Sequence, residues 1–249
     1  MNALRTPITE INGIEETIKS IMSGKASVNI SGCLESQKVN AAAALIPEDF
    51  KTLVIAENDL KARHLYKDWQ LYDKDVILYP ARDMIFYQAA VSGNPVERAR
   101  IKAIRALIEQ KRATVITSAG GCMDFLLPFD VFKNKTISIA EGEEIELDRL
   151  SKKLTETGYE RTAQVEKPGE YAIRGGIVDI FDMTEDNPYR IELWGDEVDS
   201  IRYFDCESQK SFERAEIIDI FPATEEIGRD KKDFFESLKC TFPDYFGKK

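Results

Sequence analysis

Two adjacent glycines constrain the second half of this chain more than any other feature. At strand period, Tyr171 and Ile173 point one way while Glu170, Ala172 and Arg174 point the other, before Gly175 and Gly176. A mainly apolar segment, residues 177–181, follows directly. Such a glycine pair predicts a tight hairpin, because glycine adopts the positive φ that short hairpin turns need. Residues 189–194 and 197–205 repeat the pattern around Gly195 and Asp196. Residues 168–205 therefore predict an antiparallel β meander.

The same alternation predicts which side chains share a face of the meander. Successive side chains of a strand point to opposite faces, so Arg190 and Trp194 lie opposite Ile191 and Leu193. Arginine and tryptophan are enriched where proteins bind proteins. We therefore expect Arg174, Arg190 and Trp194 to form an outward patch that binds a protein. The alternative is that the two arginines are merely solvated and Trp194 covers the sheet edge.

The first half of the chain alternates short apolar runs with helical periodicity. Asn58 and the pair Asn94-Pro95 mark helix starts, since asparagine is a good N-cap and proline suits the first helical position. The predicted strands are residues 28–30, 52–56, 76–79 and 115–117, and the predicted helices are residues 11–22, 36–45, 58–71 and 95–111. Repeated strand–helix units predict a parallel sheet with helices on both faces.

After residue 127 the strand–helix rhythm gives way to consecutive strands, which marks a change of domain. We predict an α/β domain at residues 1–127 and an inserted, mainly antiparallel α+β domain at residues 128–213. Residues 214–249 are predicted to return to the first domain and to stop short of a complete fold, as in a fragment of a longer protein. A chain of 249 residues with 43% hydrophobic content can build both cores.

Composition narrows the possible partners. The net charge is −10, and residues 127–249 carry 18 Lys and Arg against 29 Asp and Glu, so this half repels nucleic acid. No apolar run of about 18 residues could span a membrane, and residues 1–10 lack a secretion signal, so we expect a cytoplasmic protein that binds no membrane. Four distant cysteines and one histidine lack the spacing of a metal site, so no metal is expected.

A degraded phosphate-loop pattern precedes the second predicted helix. Residues 32–39 overlay the pattern G-x-x-x-x-G-K-[ST], but only Gly32 and Lys38 remain. Gln37 replaces the glycine that lets backbone amides wrap a phosphate, and Val39 replaces the hydroxyl that binds Mg²⁺. We expect no nucleotide cofactor and no catalysis, whether this is a relic of a nucleotide site or an ordinary turn before a helix.

Three sequence motifs occur together with this first domain. They are Gly158-Tyr-Glu-Arg161, Gly169-Glu-Tyr-Ala-Ile-Arg-Gly-Gly-Ile-Val-Asp-Ile-Phe181 and Tyr189-Arg-Ile-Glu-Leu-Trp-Gly-Asp-Glu-Val-Asp-Ser-Ile-Arg202. With them the chain resembles the N-terminal, UvrB-homologous module of the bacterial transcription-repair coupling factor (Mfd), over roughly residues 25–225.

The resemblance implies a RecA-like, UvrB-like first domain that does not hydrolyse ATP and an inserted β domain that binds UvrA. Such a module would recruit nucleotide excision repair to stalled RNA polymerase. The full-length family member is an ATP-dependent DNA translocase, and it would bind polymerase and DNA through regions absent from this chain. Family positions that contact UvrA match Arg174, Arg190 and Trp194, although the family more often has Phe at the last of these.

Other functions compete with this interpretation. One is a fragment of a nucleotide-dependent, UvrB-like helicase or ATPase, which Gln37 and Val39 argue against. Another is DNA binding through basic residues of the first domain, although such clusters are usually solvated helix faces. These residues are Arg82, Arg98, Arg100, Lys102 and Arg105. A loop at residues 80–95 has no clear period and is either functional or a surface connection.

Overall fold

A computed structural model of the chain describes residues 13–24, 27–46, 50–82 and 95–227. These residues divide between two compact units, the first ending at Phe125 and the second beginning at Leu126. No helix within the described ranges combines the length and the apolar character needed to cross a membrane.

The first unit contains a three-stranded parallel sheet. Its elements are α1 (Ile14–Met22), α2 (Glu35–Leu45), β1 (Lys51–Ala56), α3 (Asp59–Trp69), β2 (Val76–Tyr79), α4 (Pro95–Glu109), β3 (Ala113–Ser118) and α5 (Ala119–Met123). The strands lie in the order β1–β3–β2 and both pairings are parallel, which confirms the predicted parallel sheet. Every residue of β3 is buried, so both faces of this central strand are covered.

Helix α3 begins at the predicted cap. The side-chain oxygen of Asn58 accepts a hydrogen bond from the backbone N–H of Lys61 at 2.9 Å, which satisfies one of the free amides of the first turn. Further along α3, Ala62 and Trp69 are buried. They belong to a core cluster that joins α2 and α3 to the sheet: Val39, Ala43, Ala56, Ala62, Trp69, Val76 and Ile116.

The strand predicted at residues 28–30 is wrong. Residues 27–34 form no strand, and Val28 and Ile30 are exposed. A three-residue segment forms a strand only where another strand offers its backbone groups, and no described strand pairs with residues 28–30. Most of the loop predicted at residues 80–95, from residue 83 to residue 94, lies outside the described residues.

The second unit is built mainly of strands. Its elements are α6 (Phe129–Lys135), β4 (Ile137–Ala140), α7 (Leu147–Glu156), β5 (Glu160–Arg161), β6 (Glu170–Arg174), β7 (Ile177–Ile180), β8 (Tyr189–Trp194), β9 (Glu197–Phe204), β10 (Ser211–Ala215) and β11 (Ile217–Ile220). Six strands form one sheet in the order β10–β9–β8–β7–β6–β5. The pairings from β6 to β10 are antiparallel, which confirms the predicted meander, and short β5 runs parallel to β6.

One face of the six-stranded sheet packs on α7. The register aligns an apolar row across four strands: Ile173, Val178, Ile191 and Ile201. Tyr171 lies on the same face, and its hydroxyl lies 2.9 Å from the hydroxyl of Ser151 and 3.0 Å from that of Thr155, both on α7. Leu150 and Leu154 of the same helix are buried. This face is therefore the core side of the meander.

Strand β11 lies in the second unit. It pairs with β4 in an antiparallel two-stranded sheet, in which Ile218 faces Ile139 and Ile220 faces Ile137. Residues 217–220 thus differ from the expectation that the chain returns to the first domain from residue 214. Their alternate isoleucines are buried in the second unit instead. Residues 228–249 lie outside the described residues, so the domain assignment of the whole segment stays a prediction.

A buried carboxylate ties three segments of the second unit together. Asp182 is fully buried and accepts hydrogen bonds from the Tyr159 hydroxyl at 3.2 Å and from the Phe221 backbone N–H at 2.6 Å. Its other oxygen accepts from the backbone N–H of Thr184 at 2.7 Å. Because a buried charge is tolerated only when it is well paired, this carboxylate fixes the chain before β5, after β7 and after β11.

We predict that Asp182→Ala lowers the free energy of unfolding by about 2–4 kcal/mol, because it leaves several buried donors without an acceptor. Asp199→Ala removes an exposed carboxylate of the same unit and should change the free energy of unfolding by less than about 0.5 kcal/mol. Urea denaturation followed by circular dichroism measures both values. Equal midpoints for the two variants would contradict the role of Asp182.

Candidate protein-binding surface

The second face of the meander carries the residues selected from the sequence. Residues Ala172, Asp179, Arg190 and Arg202 form one cross-strand row on β6–β9, and Arg174, Ile177, Glu192 and Ser200 form the next. Strand alternation puts both rows on the face opposite Tyr171 and α7. Arg174 and Arg190 therefore share a face. The register of β8 with β9 shifts between Glu192 and Leu193, and Trp194 follows this irregularity at the end of β8, where it pairs with Glu197.

A buried carboxylate lies between the two arginines. Asp179 is 1% exposed, and its Oδ1 accepts a hydrogen bond from Arg190 Nε at 2.7 Å. Its Oδ2 accepts from Arg190 Nη2 at 2.9 Å and from Arg174 Nη2 at 2.5 Å. The Arg190 contact is bidentate, the geometry in which a guanidinium and a carboxylate pair most strongly. We call Arg174, Asp179 and Arg190 the arginine clamp.

Arg190 is enclosed on its remaining sides. Its Nη1 donates to the backbone carbonyl of Gln209 at 3.1 Å, and its Nη2 donates to the side-chain oxygen of Gln209 at 3.0 Å. The guanidinium carbon lies 4.2 Å from the centre of the buried Phe204 ring, a favourable cation–π distance. Hydrogen bonding to Asp179 raises the pKa of Arg190, so the group keeps its charge although its side chain is only 14% exposed.

Arg174 and Trp194 lie at the turn ends of the two hairpins, directly before Gly175 and Gly195. The side chain of Arg174 is 44% exposed and Trp194 is 84% exposed. Gly175 has φ +61°, and a Cβ on Gly176 would meet the Leu193 carbonyl oxygen at 2.9 Å, so this turn requires both glycines. The Gly176 carbonyl accepts a 2.7 Å hydrogen bond from the Leu193 N–H, and the first hairpin end thus lies beside the end of β8.

The three residues expected to form an outward patch therefore differ in exposure. Arg174 and Trp194 are available to a partner, whereas Arg190 is largely enclosed by its own chain. Sequence reasoning missed Asp179 and Gln209. An acidic residue in an apolar strand is a signal that would have found Asp179, because such a charge needs a partner when it is buried. No sequence signal marked Gln209.

The residues of the degraded phosphate-loop pattern, 32–39, do not have the structural context predicted for them. Gly32 has φ +81°, but no strand precedes it, so the expected strand–turn–helix context is missing among the described residues. The side-chain oxygen of Gln37 accepts a hydrogen bond from the Leu34 N–H at 3.1 Å and so uses a backbone amide at the start of α2. Val39 is 1% exposed and packs in the core, while Lys38 is exposed. These positions lack the features that a phosphate and its metal need.

The basic residues considered for DNA binding do not form one surface. Arg100 is fully buried and donates to the Pro80 carbonyl at 2.9 Å and to Asp124 at 2.8 Å, so it serves the core. Arg105 is paired with Glu109 one turn along α4 at 2.9 Å. A phosphate contact needs an accessible cation, which Arg100 does not offer.

The second unit is similar to a known protein family. Residues 137–225 match the protein family described as the UvrB interaction domain. The matched region contains the whole meander and therefore the arginine clamp and Trp194. Residues 137–225 are thus similar to the domain described as the UvrB interaction domain.

Curated relatives extend the similarity to the first unit. The chain is 34% identical over 235 residues, 93% of its length, to the transcription-repair-coupling factor of Bacillus subtilis strain 168. It is 32% identical over 250 residues, 97% of its length, to the same factor of Staphylococcus aureus strain Mu50. The chain spans about one fifth of these relatives, 20% and 21% of their lengths. Both matches confirm the resemblance to transcription-repair coupling factors.

The clamp geometry predicts different stability costs for its two arginines. Arg190→Ala should lower the free energy of unfolding by about 2–4 kcal/mol, because it leaves the buried Asp179 charge poorly compensated. Arg174→Ala removes a half-exposed partner and should cost less than about 1 kcal/mol. Chemical denaturation measures both variants.

Arg202→Ala is the matched control for this comparison, since Arg202 faces Arg190 from β9 but is exposed. It should shift the free energy of unfolding by less than about 0.5 kcal/mol. If Arg190→Ala cost no more than Arg202→Ala, Arg190 would not be held by Asp179.

Proposed function

We propose that this chain is a non-catalytic, UvrB-like module that binds UvrA and so recruits nucleotide excision repair to stalled RNA polymerase. The observation that carries the proposal is that Arg174 and Trp194 are exposed. They lie next to the hairpin turns of the meander, inside the region that matches the UvrB interaction domain. Exposed arginine and tryptophan side chains are the residue types enriched in interface hot spots.

The chemistry of this surface suits an acidic partner site. Arg174 donates a hydrogen bond to Asp179 and its side chain is 44% exposed, so its guanidinium can also pair with a carboxylate of UvrA. Trp194 offers an indole whose burial by a partner removes a large apolar area from water. Arg190 supports this surface indirectly, because it pairs with the same Asp179 carboxylate as Arg174.

The first unit has a separate part in the proposal. We assign it a RecA-like fold related to that of UvrB, in which the phosphate loop around Gly32 and Lys38 no longer binds nucleotide. The module would act in the cytoplasm as part of a longer coupling factor. Other regions of that factor would bind RNA polymerase and translocate on DNA, as the family resemblance implies.

We predict that Arg174→Ala and Trp194→Ala each weaken UvrA binding by about 1–3 kcal/mol, the range typical of hot-spot residues. Isothermal titration calorimetry with purified UvrA measures the affinities. Both side chains are substantially exposed, so each variant should lose no more than about 1 kcal/mol of unfolding free energy and stay folded in the titration.

Arg149→Ala is the control for binding. Arg149 is an exposed arginine of α7, the helix on the opposite face of the sheet, so its loss should leave UvrA affinity unchanged. Equal affinities of the unmodified chain, Arg174→Ala and Trp194→Ala would refute the surface. A chain that binds no UvrA would refute the function.

The alternative, a nucleotide-dependent UvrB-like fragment, makes an opposite prediction for ATP. We expect no saturable binding of a fluorescent ATP analogue in the presence of Mg²⁺, because Gln37 occupies an amide at the helix start and Val39 is apolar and buried. A protein with an intact phosphate loop serves as the positive control. Saturable, Mg²⁺-dependent binding at micromolar analogue would favour the alternative.

A further inference from the structure

The hydrogen bonds of Arg190 are nearly all used within the chain. Its Nε and Nη2 donate to Asp179, and its Nη1 and Nη2 donate to Gln209. These four bonds leave one guanidinium N–H without an acceptor among the described residues. The Phe204 ring packs against one face of the guanidinium plane. A guanidinium in this state has little capacity left for a partner.

Gln209 adopts a backbone conformation that needs a reason. Its φ is +59°, and it is the one non-glycine residue with positive φ in the described part of the chain. Glutamine seldom adopts this region, because its Cβ crowds the backbone. The conformation directs both the carbonyl and the side-chain oxygen of Gln209 at Arg190, while Gln209 Nε2 donates to the Cys206 carbonyl at 2.8 Å.

Arg174 shows the opposite pattern. It has one hydrogen bond among the described residues, to the Asp179 oxygen that Arg190 Nη2 also contacts. The orientation of that oxygen is set by the bidentate contact with Arg190. A shift of Arg190 would therefore move the acceptor that holds Arg174.

We infer that Asp179 and Gln209 are positioning residues of the UvrA-binding surface, and that they lock Arg190 as a support that presents Arg174. The partner is contacted by Arg174 and Trp194, and the contribution of Arg190 to binding passes through Asp179. This inference rests on the proposed function and gives a role to a residue outside the meander.

Gln209→Gly tests the inference with little risk to the fold. Glycine adopts positive φ freely, so the variant keeps the turn and loses only the side-chain contacts to Arg190 and Cys206. We expect UvrA affinity to fall about 3- to 10-fold in calorimetric titrations, while the unfolding midpoint stays unchanged or rises. Glu207→Gly is the matched control in the same turn, since Glu207 is exposed, and it should leave the affinity within about twofold.

A double-variant cycle separates positioning from direct contact. Arg190→Lys loses the bidentate contact, and combining it with Gln209→Gly should weaken binding no further than Arg190→Lys alone, because both residues act in one unit. Losses that multiply, or an unchanged affinity for Gln209→Gly, would overturn the inference. Both outcomes leave the proposed function standing, provided that the unmodified chain binds UvrA. If the unmodified chain did not bind UvrA, both the proposed function and this inference would be refuted.

Nuclear magnetic resonance tests whether Arg190 contacts the partner directly. On addition of UvrA to isotope-labelled chain, the indole N–H signal of Trp194 should shift or broaden, while the Nε–H signal of Arg190 keeps its position. An Arg190 signal that changes as much as that of Trp194 would show direct contact and contradict the inference.

Discussion

The candidate surface depends on one buried carboxylate. Asp179 lies in the middle of the meander at 1% exposure, where an unpaired negative charge would be strongly unfavourable. Two guanidinium groups compensate it, one enclosed and one half-exposed. The pairing fixes the geometry of both arginines, because each must reach a defined oxygen. A surface group that is fixed before binding loses less conformational entropy when a partner arrives.

The sheet separates stability from recognition by its two faces. The face that carries Tyr171 and the apolar row from Ile173 to Ile201 packs on α7 and forms the core. The other face is covered near Phe204 by the turn that carries Gln209, and it opens towards the hairpin ends at Gly175 and Gly195. Loops and turns carry function more readily than buried strands, since their side chains can project into solvent.

In the first unit, two positions that depart from the phosphate-loop pattern have contacts of their own. Gln37 caps α2 from within, and Val39 is part of the hydrophobic cluster below the helix. Both side chains serve local stability at positions where a nucleotide site would need a free amide and a hydroxyl. The expectation of no nucleotide site came from residue types alone, whereas the replacement contacts became visible only in the structure.

The sequence by itself determined the meander, the parallel sheet and the shared face of Arg174 and Arg190, because strand alternation and glycine turns are local properties. It failed at residues 28–30, where a strand required a pairing partner elsewhere in the chain. Only the tertiary structure decided that Arg190 is enclosed while Arg174 is exposed. Asp179 and Gln209 meet around one guanidinium although 30 residues separate them, and contacts between residues so distant along the chain leave no periodic signal in it.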